Sequence, residues 1–201
     1  MHPPMGYIND GLPTFFCSQS LYKLLPQFDQ VYARIVKQIG ACRILFIECE
    51  SKFATAVFQK RLAQVFLEFG LRSADYCQFY PHLSQQEFFG LCSVADVMLD
   101  SFLWSGGNTS LEAFACDCPI VTMPGPMMRG RHTSAMLRRM DIPELSTSSI
   151  NEYIDVTVSL VANKNALNKA GAKVAERKAL LYNDIDAVRG LSEFLLEHTR
   201  V

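Results

Sequence analysis

Residues 100–125, DSFLWSGGNTSLEAFACDCPIVTMPG, decide how this chain folds. They follow Ala95 to Asp100, an apolar run that closes on an acid, as a buried parallel strand does where it reaches the edge of its sheet. Gly106 and Gly107 come next and let the backbone approach a ligand closely. Asn108, Thr109 or Ser110 then caps a helix, LEAFAC, whose free N–H groups and positive dipole end face outward. A further strand, Pro119 to Met123, stops at Pro124-Gly125. Strand, glycine turn and helix N-terminus in that order make an anion seat, with phosphate the usual occupant, although S-G-G-N between a strand and a helix is also ordinary loop chemistry.

The alternation extends outward on the N-terminal side. Thr14 to Ser18 predicts a first strand, followed by the turn QSLYKLLP and a helix from about Gln27 to Ile39 with Phe28, Val31, Ile35 and Val36 on one face. Arg43 to Cys49 is a second strand, and Phe53 to Phe69 a long helix closed by Gly70. Asp75 to Tyr80, the helix Ser84 to Val94 and the strand Val97 to Asp100 complete the approach to the glycine turn. Strands and helices at this short spacing predict an α/β fold: a parallel sheet with helices on both faces and right-handed crossovers. After Gly125 the pattern turns helical, with segments Arg129 to Met140, Ser148 to Ala162, Lys164 to Leu181 and Ile185 to His198 forming a tail. Residues 1–13, rich in Pro and Gly, read as a linker or truncated segment ahead of one domain over 14–201.

Composition excludes several classes of function. With Lys+Arg 19 against Asp+Glu 20, the net charge of -1 gives no global field for nucleic acid or an anionic membrane. Seven cysteines, mostly inside apolar runs, read as reduced core thiols of a cytoplasmic protein; Cys116 and Cys118 have no second pair to complete a zinc site. No signal peptide and no run of eighteen apolar residues is present, so a soluble protein is expected.

Each remaining candidate has a plain structural reading beside the functional one. Lys23, just after the first strand, is placed to neutralise a diphosphate at the same sheet edge, but on pattern alone it reads as a solvated lysine. Glu112, one turn into the helix after the glycines, is placed to reach a ribose diol, or serves only as a favourable first-turn charge. Phe88 or Phe89, on the loop and helix that leave Tyr80, could stack on a base, while aromatic residues at helical spacing are more often core. His132 with Arg129, Arg131, Arg138 and Arg139 reads as a solvated helix face ahead of a phosphate contact. Asp184-Ile185-Asp186 has the spacing of a metal-binding D-x-D motif, yet falls between two helices, where a helix cap is the better account.

At these residues the chain resembles a known family. FFCSQSLYKLLPQFD, then PHLSQQEFFGLCSVADVMLDSFLWSGGNTSLEAFACDCPIVTMPG, then RHTSAML and MDIPEL are similar to the C-terminal half of the catalytic region of O-linked N-acetylglucosamine transferases, with the bacterial SPINDLY-like, TPR-containing branch the nearer match. The resemblance covers about residues 14–200 and implies the C-terminal, Rossmann-like, nucleotide-sugar-binding half of a GT-B glycosyltransferase, with terminal helices that pack back. It implies inverting transfer from a UDP-sugar to a Ser or Thr hydroxyl without an essential metal or other cofactor. An N-terminal GT-B half and a TPR region, both absent from these residues, would supply the base and select the protein acceptor.

Carried over position by position, the resemblance gives Lys23 the role of neutralising the UDP diphosphate. Ser20 stands where a family glutamine meets the nucleotide. Gly107, Asn108 and Thr109, beside Gly106, match the turn that grips the phosphates, without its histidine. Glu112 replaces a ribose-binding aspartate. Leu83 matches the position whose backbone reads uracil, and Phe88 the ring that stacks on it, while Gln85 and Leu91 fall where animal enzymes carry basic residues. Two alternatives stay open: another donor such as GDP-fucose, since some SPINDLY-like relatives are fucosyltransferases, or a non-catalytic interaction module with a degenerate donor site.

Overall fold

The structure, a computed structural model, describes residues 2–7 and 9–199. Five strands, β1 (Thr14–Cys17), β2 (Arg43–Ile47), β3 (Cys77–Tyr80), β4 (Val97–Leu99) and β5 (Ile120–Val121), form one sheet in the order β3-β2-β1-β4-β5. Every neighbouring pair is parallel, with Phe15 opposite Ile44 on one side and Val97 on the other. Helices α1 (Pro26–Ile39), α2 (Lys52–Glu68), α3 (Gln85–Val94), α4 (Asn108–Ala115), α5 (His132–Arg139), α6 (Ile150–Ala162), α7 (Lys164–Arg177) and α8 (Ile185–Thr199) follow in chain order.

The order places β1 beside β4, so that the chain leaves β1 toward β2 and leaves β4 toward β5. Connections diverge at that point, and the loops after β1 and β4 flank one crevice at the carboxyl edge of the sheet. β1 and β4 are buried along their whole length, which is why TFFC and VML carry no polar alternation. α2 begins at Ser51, whose hydroxyl accepts from the Ala54 N–H, and ends before Gly70, whose φ of 71° only glycine takes without strain. α3 starts with a full capping box between Ser84 and Glu87. Phe28 of α1 lies 4.3 Å from Phe102 and 5.9 Å from Tyr153 of α6, edge to face, so the loop after β4 is held by packing against two helices.

Several element boundaries differ from those expected. The expected strand Asp75–Tyr80 is shortened because Ser73–Asp75 make a 3₁₀ turn, and Pro119–Met123 keeps only Ile120–Val121 as ladder. Arg129–Met140 divides into a 3₁₀ turn at Met128–Gly130 and α5, and Lys164–Leu181 ends as α-helix at Arg177 before a 3₁₀ turn at Lys178–Leu181. Residues 2–7 and 9–13 form no regular element, yet they lie against the domain: Pro4 is buried, Asp10 pairs with Arg43, and a Cβ on Gly90 would stand 2.2 Å from the His2 carbonyl oxygen. α6 and α7 pack back as the resemblance implied, burying Tyr153, Ile154 and Val174. α8 does not, for none of its described side chains is buried. Among the described residues no helix is long and apolar enough to cross a membrane.

Candidate functional site

The glycine turn is built on Asp100, at the end of β4. Its side chain is 1% exposed and accepts from the Ser105 hydroxyl at 2.7 Å, the Gly106 N–H at 2.7 Å and the Thr122 hydroxyl at 2.6 Å. Burial pushes this carboxyl above its ordinary range, and the donors from Thr122, Gly106 and Ser105 pull it back in part. Thr133 of α5 extends the network: its oxygen lies 2.8 Å from both Ser105 Oγ and Ser110 Oγ. Tyr153 of α6 donates to the Asp100 carbonyl at 3.1 Å. One buried acid thus fixes the turn to β5, α5 and α6. The sequence marks it only as the polar residue that ends an apolar strand.

The turn itself differs from the expected capping. Gly107 is the N-cap of α4, and neither Asn108, Thr109 nor Ser110 caps the helix with its side chain. Ser110 turns inward to Thr133 and Thr109 turns to the β1 loop. The Ser110 N–H bonds to the Gly107 carbonyl at 3.1 Å, and no side chain caps the start of the helix, whose dipole end is the feature an anion needs. The two glycines have different reasons to be glycine. A Cβ on Gly106 would come within 2.3 Å of Ser110 Oγ, so this position is set by internal packing, whereas a Cβ on Gly107 would meet nothing within 4 Å.

Lys23 closes a 3₁₀ turn, Leu21–Lys23, that follows β1. Its ammonium donates to Gln19 Oε1 at 3.3 Å, and Gln19 Nε2 donates to Thr109 Oγ1 at 2.8 Å. Gln19 is 2% exposed. The bridge ties the lysine after β1 to the helix after β4, and Lys23 forms no ion pair among the described residues. The Lys23 and Arg129 cations each lie 5.6 Å from the Trp104 ring centroid. A lysine without an ion pair, the Thr109 hydroxyl and the start of α4 are therefore linked through Gln19.

Gln19 was not singled out by the sequence reading, which placed the contact on Ser20. Ser20 is half-buried, starts the 3₁₀ turn without a side-chain cap, and lines a neighbouring cleft of about 550 Å³ with Glu48, Glu50, Ser51 and His82.

The other expected residues are distributed around the crevice. Leu83 is 8% exposed, and its side chain belongs to the core. Phe88 is half-buried with its ring 5.6 Å from that of Phe16. Glu112 is half-buried on α4, and burial raises its carboxyl. Gln85 is exposed, whereas Leu91 is fully buried. The arginine-rich segment does not act as one patch: Arg129 joins Trp104, Arg139 pairs with Asp184 at 3.3 Å, and Arg131, His132 and Arg138 line a separate hollow of about 250 Å³. Asp184 accepts from the Asp186 N–H at 3.2 Å, so the D-x-D is a helix cap. All seven cysteines are free thiols, and burial pushes Cys17, Cys42 and Cys118 up to about 12.

Among solved structures the chain is similar to an O-GlcNAc transferase of Thermobaculum terrenum, with a TM-score of 0.77 and 26% identity over 91% of this chain and 36% of that one. Sucrose-phosphate synthase of Thermosynechococcus elongatus has the same fold at a TM-score of 0.66 and 17% identity, over 94% of this chain and 46% of that one. The sheet with its helical tail is thus the Rossmann-like C-terminal half of a GT-B glycosyltransferase. Among curated proteins, a probable UDP-N-acetylglucosamine–peptide N-acetylglucosaminyltransferase SPINDLY of Arabidopsis thaliana is 25% identical over 83% of this chain. A UDP-N-acetylglucosamine–peptide N-acetylglucosaminyltransferase of Caenorhabditis elegans is 32% identical over 40% of it. The chain spans 18% of the length of the Arabidopsis relative and 7% of the nematode one. The description of glycosyl transferase family 41 matches residues 9–184, and this chain belongs to that family.

Proposed function

We propose that this chain is the donor-binding half of an inverting protein O-glycosyltransferase that works in the cytoplasm, takes a UDP-GlcNAc-type sugar and serves transfer to Ser or Thr hydroxyls. The observation that carries the reading is the bridge from Lys23 through Gln19 to Thr109, which holds an unpaired ammonium beside the uncapped start of α4. Two negative phosphates are the ligand that such a pairing of charge and helix dipole suits best. The names of the relatives support the donor and the acceptor class.

In the reaction, the acceptor hydroxyl oxygen attacks the anomeric carbon from the face opposite the diphosphate, and the bond to the β-phosphate oxygen breaks. Its electron pair becomes charge on UDP. Lys23 and the α4 dipole stabilise that charge as it grows, without an essential metal. The proton of the acceptor passes to a base on an N-terminal GT-B half, and a TPR region selects the protein substrate. In isolation the chain binds donor and transfers nothing.

Calorimetric titration tests this reading. Lys23→Ala should weaken UDP binding by about 1–3 kcal/mol, the worth of a charge-assisted contact. Absence of UDP binding to the folded wild-type chain refutes the proposal. The bridge bears on the phosphates and not on the base, so the same seat loaded with a GDP-linked sugar is a second reading. Thermal melts with UDP-GlcNAc, UDP-glucose and GDP-fucose separate the two, because a ligand bound only by the folded state raises its stability. Equal melts with every nucleotide sugar would instead favour a non-catalytic interaction module.

A further inference from the structure

We propose that Gln19 is the positioning residue of this anion seat and fixes the direction of its hydrogen bonds, an inference that rests on the donor reading above. An ammonium group can only donate, so the Gln19 atom that meets Lys23 at 3.3 Å is the amide oxygen. The amide NH₂ therefore faces Thr109 and donates to its Oγ1 at 2.8 Å. Thr109 Oγ1 is thereby an acceptor toward the protein, and among the described residues no acceptor takes its own hydrogen. That hydrogen, and the two remaining N–H donors of Lys23, are left for an acceptor in the crevice. A phosphoryl oxygen only accepts, and this polarity is what it requires.

Gly106 makes the bridge possible. A Cβ at that position would come within 2.7 Å of Gln19 Nε2 and 2.9 Å of Thr109 Oγ1, so the missing side chain is the space the amide uses. A carboxylate at position 19 would reverse the arrangement. It would accept from both neighbours, capture the Thr109 hydrogen and neutralise Lys23, turning the seat inward.

The experiment titrates UDP and uridine into the wild-type chain, Gln19→Met, Gln19→Glu, Thr109→Val and the Gln19→Met/Thr109→Val double variant, with ligand-free melts of each. Gln19→Met should lower UDP affinity about tenfold, one good hydrogen bond's worth, and leave uridine affinity within about twofold. In the Thr109→Val background the same change should cost markedly less, because the hydroxyl it orients is gone. Gln19→Glu should lose more than Gln19→Met near neutral pH, because its carboxylate accepts from Thr109 and pairs with Lys23, whereas Met only removes the bridge. Equal losses for UDP and uridine, strict additivity in the double variant, or a Gln19→Glu loss no larger than that of Gln19→Met would each overturn the inference. If Gln19→Met does not fold, Gln19→Glu decides: a loss for UDP well above that for uridine supports the inference, and equal losses overturn it. Wild-type chain that binds no UDP removes the donor reading itself, whereas UDP binding unchanged by Gln19→Met and by Gln19→Glu removes only the role of Gln19.

Discussion

Replacing Asp100 by alanine should destabilise the fold by about 2–4 kcal/mol, and the figure follows from the partners it leaves behind. Three donors lose their acceptor: the Ser105 and Thr122 hydroxyls and the Gly106 N–H. The Ser105 hydroxyl has Thr133 Oγ1 at 2.8 Å to turn to. The other two are stranded, at about 1–3 kcal/mol each in a buried site, and relief of the carboxylate's own desolvation offsets part of that cost. For a chain of this length each kcal/mol moves the melting temperature by about 2–4 °C, so a fall of roughly 4–16 °C is expected in calorimetric melts. Asp100→Asn keeps the shape but sets an NH₂ against the Gly106 N–H or the hydroxyls, and should cost less, about 1–2 kcal/mol. The pH dependence gives an independent reading. Because burial raises the Asp100 carboxyl, the folded protein keeps a proton there that the unfolded chain has already released. Stability from this group is therefore present at acid pH and lost as pH rises from the ordinary carboxylate range through the raised value. The difference in stability between wild type and Asp100→Asn should shrink over that window. An Asp100→Ala melt within about 2 °C of wild type, or a difference curve that grows with pH, would refute the account of the turn.

Gly106→Ala and Gly107→Ala should separate packing from ligand access. The first forces Ser110 and Gln19 aside and should cost about 1–3 kcal/mol of stability together with UDP binding, while the second should cost well under 1 kcal/mol in urea unfolding. Asp29 has no side-chain exposure and pairs with Arg61, which also donates to the Leu24 carbonyl at 2.6 Å, so Arg61→Met should lose about 3–5 kcal/mol and Asp29→Leu/Arg61→Met should recover much of it, as measured by denaturant melts. Alkylation of the native chain at mildly alkaline pH, followed by peptide mass mapping, should spare Cys17, Cys42 and Cys118, whose thiols burial holds at about 12. Modification of these three at the rate of the denatured chain contradicts their placement in the core.

The parallel sheet was legible because its strands are buried on both faces, so TFFC, RILFI and VML carry a continuous apolar signal that no surface element would show. Boundaries failed where tertiary contacts override local preference. Pro119 and Met123 flank a strand of only two residues because the chain there turns to follow β4 and then pairs Thr122 with Ser146 in a single bridge. The expected cap at Asn108–Ser110 failed for a related reason: hydroxyls able to cap a helix were drawn to Thr133 and Gln19, partners 23 and 90 residues away in sequence. Lys23 was visible as a lysine at the right edge, but its pairing was not. Gln19 and Ser20 are adjacent polar residues after the first strand, and only the fold shows that Gln19 is the one that meets Thr109.

The site has two layers that do different work. The inner one, Asp100 with Ser105, Thr122 and Thr133, is buried and shapes the backbone of the turn. The outer one, Lys23 with Gln19 and Thr109, carries the charge and the free donors. Both are held by hydrogen bonds within the chain itself. The ordering cost of assembling a cation, a hydroxyl and a helix end around an anion has therefore been met during folding, and binding has little further freedom to remove. This is why donor affinity should survive in the isolated half, with the diphosphate supplying most of it. Catalysis should not survive, because stabilising the leaving group lowers a barrier only when an acceptor oxygen and its base stand on the opposite face of the sugar.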